Sequence, residues 1–137
     1  ERHEIKYVII GGIASVLYGV PRATFDLDIL IDPTPENASK LLDALVEAGI
    51  GSAALTNIDD LLANEITILQ DRVRIDIQTS TPGLLFEKAW EHKEMMSYEG
   101  QAFFVVSKSD LIQSKRAAGR DRDLDDIRLL AENPDSD

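Results

Sequence analysis

Three aspartates on two segments of alternating hydrophobicity are the residues best suited to carry chemistry in this chain. Asp26 and Asp28 flank Leu27, and Asp76 occupies the polar face of a second segment of the same kind. Because successive side chains of a strand point to opposite faces, Asp26 and Asp28 share a face, with Cα atoms roughly 6.5–7 Å apart. Alone, Asp-x-Asp is more typical of a solvated strand face, but paired carboxylates also suit Mg²⁺, or Mn²⁺ in its place. We therefore expect a metal site at Asp26, Asp28 and Asp76.

A glycine pair supplies the second candidate element. Gly11 and Gly12 follow the apolar run Tyr7–Ile10 and precede a short helix expected over residues 13–18. Backbone N–H groups in such a turn can cradle phosphate oxygens. A tight turn without a ligand is the commoner meaning of a glycine pair. The combination with the aspartates favours phosphate binding.

Three cations are candidates for binding phosphate. Lys115 shares a helix side with the apolar Leu111, so its ammonium must either extend outward to solvent or find an anion. Arg22 precedes the acidic pair and suits either a phosphate or an ion pair with those aspartates. Arg120 has the same two alternatives, because Asp123 and other carboxylates follow it closely.

Strands and helices alternate along the chain in a way that predicts one mixed sheet flanked by helices, an α/β (α+β) fold. Apolar alternation and turn residues mark the strands, and helical spacing with capping residues marks the helices. The expected strands cover residues 7–10, 25–31, 65–69, 73–78, 95–98 and 102–106. The expected helices cover residues 13–18, 35–48, 59–63, 82–92, a segment capped by Ser107, and a final segment around 124–131.

Length, composition and charge limit the number of domains, the location and the partners of the protein. The 137 residues, 44% hydrophobic and 28% charged, predict a single packed domain over residues 1–132 with a frayed tail over 133–137. The chain has no cysteine, no apolar run long enough to span a bilayer and a charged amino-terminal segment unlike a signal peptide, so we expect a cytoplasmic protein without a membrane partner. The net charge of −11 argues against non-specific binding to nucleic acid.

The order of these elements resembles the nucleotidyltransferase fold of the DNA polymerase β superfamily. A strand, a glycine pair, a short helix, Asp-x-Asp on the next strand and a lone aspartate on a later strand make up that pattern. The chain is most similar to small bacterial nucleotidyltransferase-like proteins of the AbiEii toxin type and their uncharacterised relatives. The segments that carry this likeness are Gly11-Gly12-Ile13-Ala14, Tyr18-Gly19, Arg22-Ala23-Thr24 before Asp26-Leu27-Asp28, and Lys115 to Arg120 followed by Asp123, Asp125 and Asp126.

The resemblance implies transfer of a nucleoside monophosphate from a nucleoside triphosphate to an acceptor hydroxyl, with the protein acting as the toxin of a toxin–antitoxin pair. It assigns metal binding and catalysis to Asp26, Asp28 and Asp76, with Asp76 also helping to deprotonate the acceptor. It assigns the phosphates to Gly11 and Gly12. Gly12 departs from the commoner Gly-Ser pattern, so backbone amides would act there without a serine hydroxyl.

Other functions are compatible with the same residues. One is an idle nucleotide-binding or partner-binding module that keeps the fold without transfer. Another is an aminoglycoside or lincosamide nucleotidyltransferase, since an acidic surface attracts cationic drugs. The sequence is therefore compatible with three classes of acceptor: RNA, protein and small molecules. The short chain suggests that acceptor binding requires a partner protein or a homodimer.

Overall fold

The computed structural model describes residues 4–21, 26–71 and 73–132, and the fold consists of one mixed sheet with helices packed around it. In the described residues the strands are β1 (Tyr7–Ile10), β2 (Asp26–Ile31), β3 (Ile66–Gln70), β4 (Arg74–Gln78), β5 (Glu94–Tyr98) and β6 (Gln101–Val105). The α-helices are α1 (Gly11–Leu17), α2 (Pro35–Glu47), α3 (Ile58–Ala63), α4 (Phe86–His92), α5 (Lys108–Ala118) and α6 (Asp121–Ala131), and a 3₁₀ helix covers Gly51–Leu55. The predicted fold class, a mixed sheet flanked by helices, is confirmed. The tail at 133–137 lies outside the described residues.

The sheet has the strand order β3-β4-β2-β1-β6-β5. β2 lies at its centre, antiparallel to β1 and parallel to β4, while β1 is also parallel to β6. Two antiparallel hairpins, β3-β4 and β5-β6, form the two edges of the sheet. This order places the segment that contains Asp76 directly beside the segment that contains Asp26 and Asp28.

The burial of β2 changes along its length, and that change positions the polar site. Leu30 and Ile31 point to opposite faces of the sheet and are both buried, so both faces are covered at this end of the strand. Asp26 at the other end is exposed. The sheet therefore has a closed apolar end and an open acidic end.

Local signals in the sequence explain several helix boundaries. Thr34 caps α2 by accepting a hydrogen bond from the Asn37 amide, with Pro35 in the first turn. Ser107 caps α5 through the Asp110 amide at 3.1 Å, and Gly119 ends that helix in the left-handed conformation. The caps at Thr34 and Ser107 agree with the sequence prediction.

The prediction of a helix over residues 82–92 is wrong in its first turn. Residues Thr81 and Leu84 instead form an isolated bridge, and the helix α4 begins only at Phe86. Gly83 has a φ of +79°, a left-handed conformation that continues no right-handed helix. The sequence Pro82-Gly83 therefore forms a turn before α4.

Tyr18 anchors the end of α1 to the core. Its side chain is buried, and its hydroxyl donates a hydrogen bond of 2.8 Å to the Val106 carbonyl oxygen just after β6. A buried tyrosine whose hydroxyl has a partner is a packing residue.

Within the residues that the structure describes, no helix is both long and apolar enough to span a membrane.

Candidate functional site

Strand alternation and register bring the acidic residues together on one face. In the parallel pair β2-β4, Asp28 lies directly opposite Asp76, and Asp26 lies opposite Arg74. Residues that face one another in a ladder share a side of the sheet. We call this set of four residues, Asp26, Asp28, Arg74 and Asp76, the strand wall. The structure thus brings all three predicted aspartates to one place.

The carboxyl groups of Asp28 and Asp76 are close enough to share a proton. Burial of Asp28, its hydrogen bond with Asp76, and the negative charges of Asp76 and Asp26 raise the pKa of Asp28 to about 7. The charge of Arg74 opposes this rise. A carboxyl group pressed against a like charge binds a proton or a metal cation more readily than an isolated one does.

Arg74 is the counter-ion of the third aspartate. Its guanidinium forms a fork on Asp76, with Nε 2.9 Å from Oδ1 and a terminal nitrogen 3.3 Å from Oδ2. The two residues are two positions apart on β4, so the strand period puts them on one face. That spacing was visible in the sequence, although the contact depends on side-chain conformation.

Gly11 follows directly after β1, at a position that only glycine can occupy. Its φ is +73°, and a β-carbon at this position would overlap the carboxylate of Asp28. Both the backbone conformation and the space therefore require glycine. Gly12 follows in the first turn of α1, and both glycines line the same cavity as the aspartates.

The opposite side of the cavity is an ion-pair network between α5 and α6. Lys115 is 5% exposed, and its Nζ lies 3.0 Å from Oδ2 of Asp126 and 3.5 Å from Oδ1 of Asp123. Arg120 forms a two-nitrogen contact with the carboxylate of Asp123. We call Lys115, Arg120, Asp123 and Asp126 the helix wall.

The helix wall decides between the sequence alternatives for its two cations. The alternative in which Lys115 extends to solvent is wrong, because Asp123 and Asp126 hold it inside. Arg120 takes the ion-pair alternative, with Asp123 as its partner. Although burial raises the pKa of Asp123, the hydrogen bond and charge of Arg120 and the charge of Lys115 lower it below its ordinary value. The pairing of Asp126 with Lys115 depends on the packing of α5 against α6, which the sequence did not predict.

The two walls enclose a cavity of about 420 Å³. Its lining includes four carboxylates and four cations: Asp26, Asp28, Asp76, Asp123, Arg74, Lys115, Arg120 and Arg122. The charges of these eight side chains cancel. The cavity is therefore less negative than the rest of a chain whose net charge is −11. Such a cavity can admit phosphates that the rest of the surface repels. Arg22, the remaining candidate for phosphate binding, lies outside the described residues.

The arrangement of the carboxylate donors determines whether the cavity can hold a divalent cation. Among the described residues, no set of three or more His, Cys, Asp or Glu side chains is arranged to hold a metal ion. In the strand wall, Arg74 takes up both oxygens of Asp76. Asp28 and Asp76 present adjoining carboxylate oxygens, the donors that Mg²⁺ prefers. The donor type of these two residues therefore suits a hard cation, and Arg74 would compete with that cation for Asp76.

Comparison with known proteins adds one match. The model of a family described as "Nucleotidyltransferase of unknown function (DUF6036)" matches residues 1–131. A search of the curated proteins gives no match. The family match covers both walls of the cavity and both glycines.

Proposed function

The chain belongs to the family described as nucleotidyltransferases of unknown function (DUF6036), and from this premise we propose that it moves a nucleoside monophosphate from a nucleoside triphosphate to an acceptor hydroxyl. The observation that carries the proposal is the apposition of Asp28 and Asp76 across a cavity from Lys115 and Arg120. One wall offers oxygen donors for a cation and the other offers cations for phosphates.

In this proposal the strand wall serves the reacting phosphate. Asp26, Asp28 and Asp76 would hold Mg²⁺ or Mn²⁺, and the ion would supply positive charge that stabilises the oxygens of an in-line displacement. Asp76 accepts the proton of the acceptor hydroxyl. The acceptor oxygen forms a bond to the α-phosphorus, the bond from that phosphorus to the bridging oxygen breaks, and pyrophosphate leaves.

The helix wall and the glycines serve the remaining phosphates. Gly11 and Gly12 bring backbone close to the cavity without side chains, which leaves room for phosphate oxygens. Lys115 and Arg120 supply the positive charge that a leaving pyrophosphate requires. Arg122 also lines the cavity, and its side chain makes no ion pair or hydrogen bond with any residue in the described part of the chain. It can therefore take an anion without breaking an internal contact.

The toxin-type resemblance favours RNA or protein as the acceptor, with a partner protein or a second copy of the chain helping to hold it. An aminoglycoside acceptor would call for an acidic pocket, and the balanced lining of this cavity gives no support to a cationic drug. The toxin role rests on the resemblance alone, so identification of the acceptor is the step that tests it.

One observation favours a second function, nucleotide binding without transfer. The fork of Arg74 on Asp76 neutralises the carboxylate that the reaction needs as a base. If that contact persists with nucleotide bound, the protein would be an idle binding module. Release of pyrophosphate in the presence of candidate RNA and protein acceptors separates the two functions.

Titration calorimetry with the four nucleoside triphosphates, with and without Mg²⁺, tests the proposal. We expect Mg²⁺-dependent binding to the native chain, and a loss of about 100-fold or more in Asp28→Asn, because a metal ligand is removed. Asp43→Asn, an exposed site on α2, is the matched control and should bind as the native chain does. Undiminished Mg²⁺-dependent binding by Asp28→Asn would refute the assigned metal site.

A further inference from the structure

A second cavity opens from the first, and its own lining has a different chemistry. It has a volume of about 330 Å³ and shares Gly11, Asp28, Gln78 and Lys115, among others, with the charged cavity. The residues that belong to it alone are uncharged: Ile10, Thr81, Pro82, Leu111, Ser114 and Ala118. We call this space the apolar slot.

The geometry points to the apolar slot as the site of the nucleobase and its sugar, an assignment that rests on the proposed function. A nucleoside triphosphate has one strongly charged end and one flat, largely apolar end. The continuous space offers the same division, with every charged side chain in the part that is shared or in the first cavity. A ligand pocket typically combines apolar walls with a few polar groups.

The α5 side of the slot follows directly from helix geometry. Leu111, Ser114, Lys115 and Ala118 are spaced three, four and seven residues apart, so they form a single stripe along α5. Lys115 lies in this stripe beside Ser114. The backbone positions of Lys115 and Ala118 are about one helical turn apart. This places a phosphate and a base within reach of one helix face.

The facing wall is held against α5 by specific contacts. The side-chain nitrogen of Gln113 donates a hydrogen bond of 2.6 Å to the Gly83 carbonyl oxygen. A β-carbon at Gly83 would lie 2.8 Å from that of Ala117, so the turn is packed as closely on the helix as a glycine allows. The Thr81–Leu84 bridge closes the same turn. The slot is therefore preformed, which lowers the entropic cost of ordering a ligand.

Two hydroxyl groups give the slot a means of distinguishing bases. Thr81 lies on the turn and Ser114 on α5, and both residues are partly exposed. A hydroxyl can either donate or accept a hydrogen bond, so it can meet the edge of a base. Selection among the four bases is expected to depend on these two positions.

Titration with inorganic tripolyphosphate and with nucleoside triphosphate, both with Mg²⁺, tests the assignment. The native chain should bind its preferred triphosphate roughly tenfold or more tightly than tripolyphosphate, because only the nucleotide fills the apolar slot. Ala118→Phe should weaken triphosphate binding by about tenfold and leave tripolyphosphate binding within about twofold, because the added ring occupies the slot alone. Ala118 is exposed, so this change is compatible with folding.

Ala131→Phe is the matched control, since it makes the same change at an exposed position about 15 Å along α6 from its first turn. Equal affinity of the native chain for triphosphate and tripolyphosphate would overturn the inference. So would triphosphate binding that survives Ala118→Phe while transfer slows, which would assign the slot to the acceptor. If neither ligand binds the native chain, the proposed function itself fails and the slot assignment fails with it.

Discussion

The two walls of the charged cavity differ in their balance of negative and positive side chains. In the strand wall three carboxylates share one guanidinium, and the pKa of Asp28 rises to about 7. In the helix wall two carboxylates meet two cations, and the pKa of Asp123 is lowered. One wall therefore holds uncompensated negative charge and the other is internally neutralised.

This difference indicates which wall still requires a ligand to balance its charge. Crowded like charges destabilise a fold unless a ligand relieves them, so they persist where a ligand is expected. Buried opposite charges in close contact are costly to break apart. We infer that the strand wall is completed by a cation from solution, while the ion pairs of the helix wall hold α5 and α6 together and keep Lys115 and Arg120 at the cavity.

The largest effect is expected from breaking the helix wall. Lys115→Met keeps most of the apolar stem and removes the charge, which leaves Asp126 buried without its ammonium partner. We expect the free energy of unfolding to fall by about 3 kcal/mol, measured by urea denaturation. Lys40→Met, which breaks a solvent-exposed pair with Glu36, should cost less than about 1 kcal/mol. A loss as small as that of the control would show that the network is solvated.

Removing a charge from the strand wall should have the opposite effect and raise the free energy of unfolding. Because the folded pKa of Asp28 lies above its ordinary value of 3.8, the folded state holds this proton more tightly than the unfolded chain does. Its contribution to stability is present below pH 3.8 and is lost as the pH rises toward about 7. Asp28→Asn, which cannot ionise, should therefore be more stable than the native chain at about pH 8, by roughly 2 kcal/mol after screening by solvent.

Denaturation at about pH 5 and pH 8, with and without Mg²⁺, measures this response. The advantage of Asp28→Asn should shrink at the lower pH, and Mg²⁺ should stabilise the native chain while leaving the variant unchanged. Asp43→Asn should show neither behaviour. A variant less stable than the native chain at the higher pH would mean that ionised Asp28 is already compensated.

The strand wall was largely predictable from sequence because it depends on a period of two. Alternation put Asp26 and Asp28 on one face, and Asp76 on the polar face of its own strand. The register that sets Asp28 opposite Asp76 was not predictable, since it joins strands that are separated by α2, the 3₁₀ helix, α3 and β3. Such pairing is decided by the packing of the whole sheet.

The helix wall was harder to predict for a different reason. Caps and apolar spacing marked α5 and the region of α6, yet the partner of Lys115 depends on how the two helices pack. The turn at Gly83 escaped prediction because Pro82 suits the start of a helix as well as a turn. Local signals therefore located the elements, and long-range packing chose their contacts.

The smallest effect, and the one that bears most directly on activity, concerns Arg74. Its fork on Asp76 competes with any cation for the same oxygens, so Arg74→Gln should increase the affinity for Mn²⁺ alone by roughly two- to fivefold, the worth of a partly exposed ion pair. Arg128→Gln, which breaks an exposed pair with Glu132 on α6, should leave that affinity unchanged. Titration of both variants with Mn²⁺ measures the difference. Weaker Mn²⁺ binding by Arg74→Gln would mean that the guanidinium orients Asp76 for the metal, and the idle-module reading would lose its only structural support.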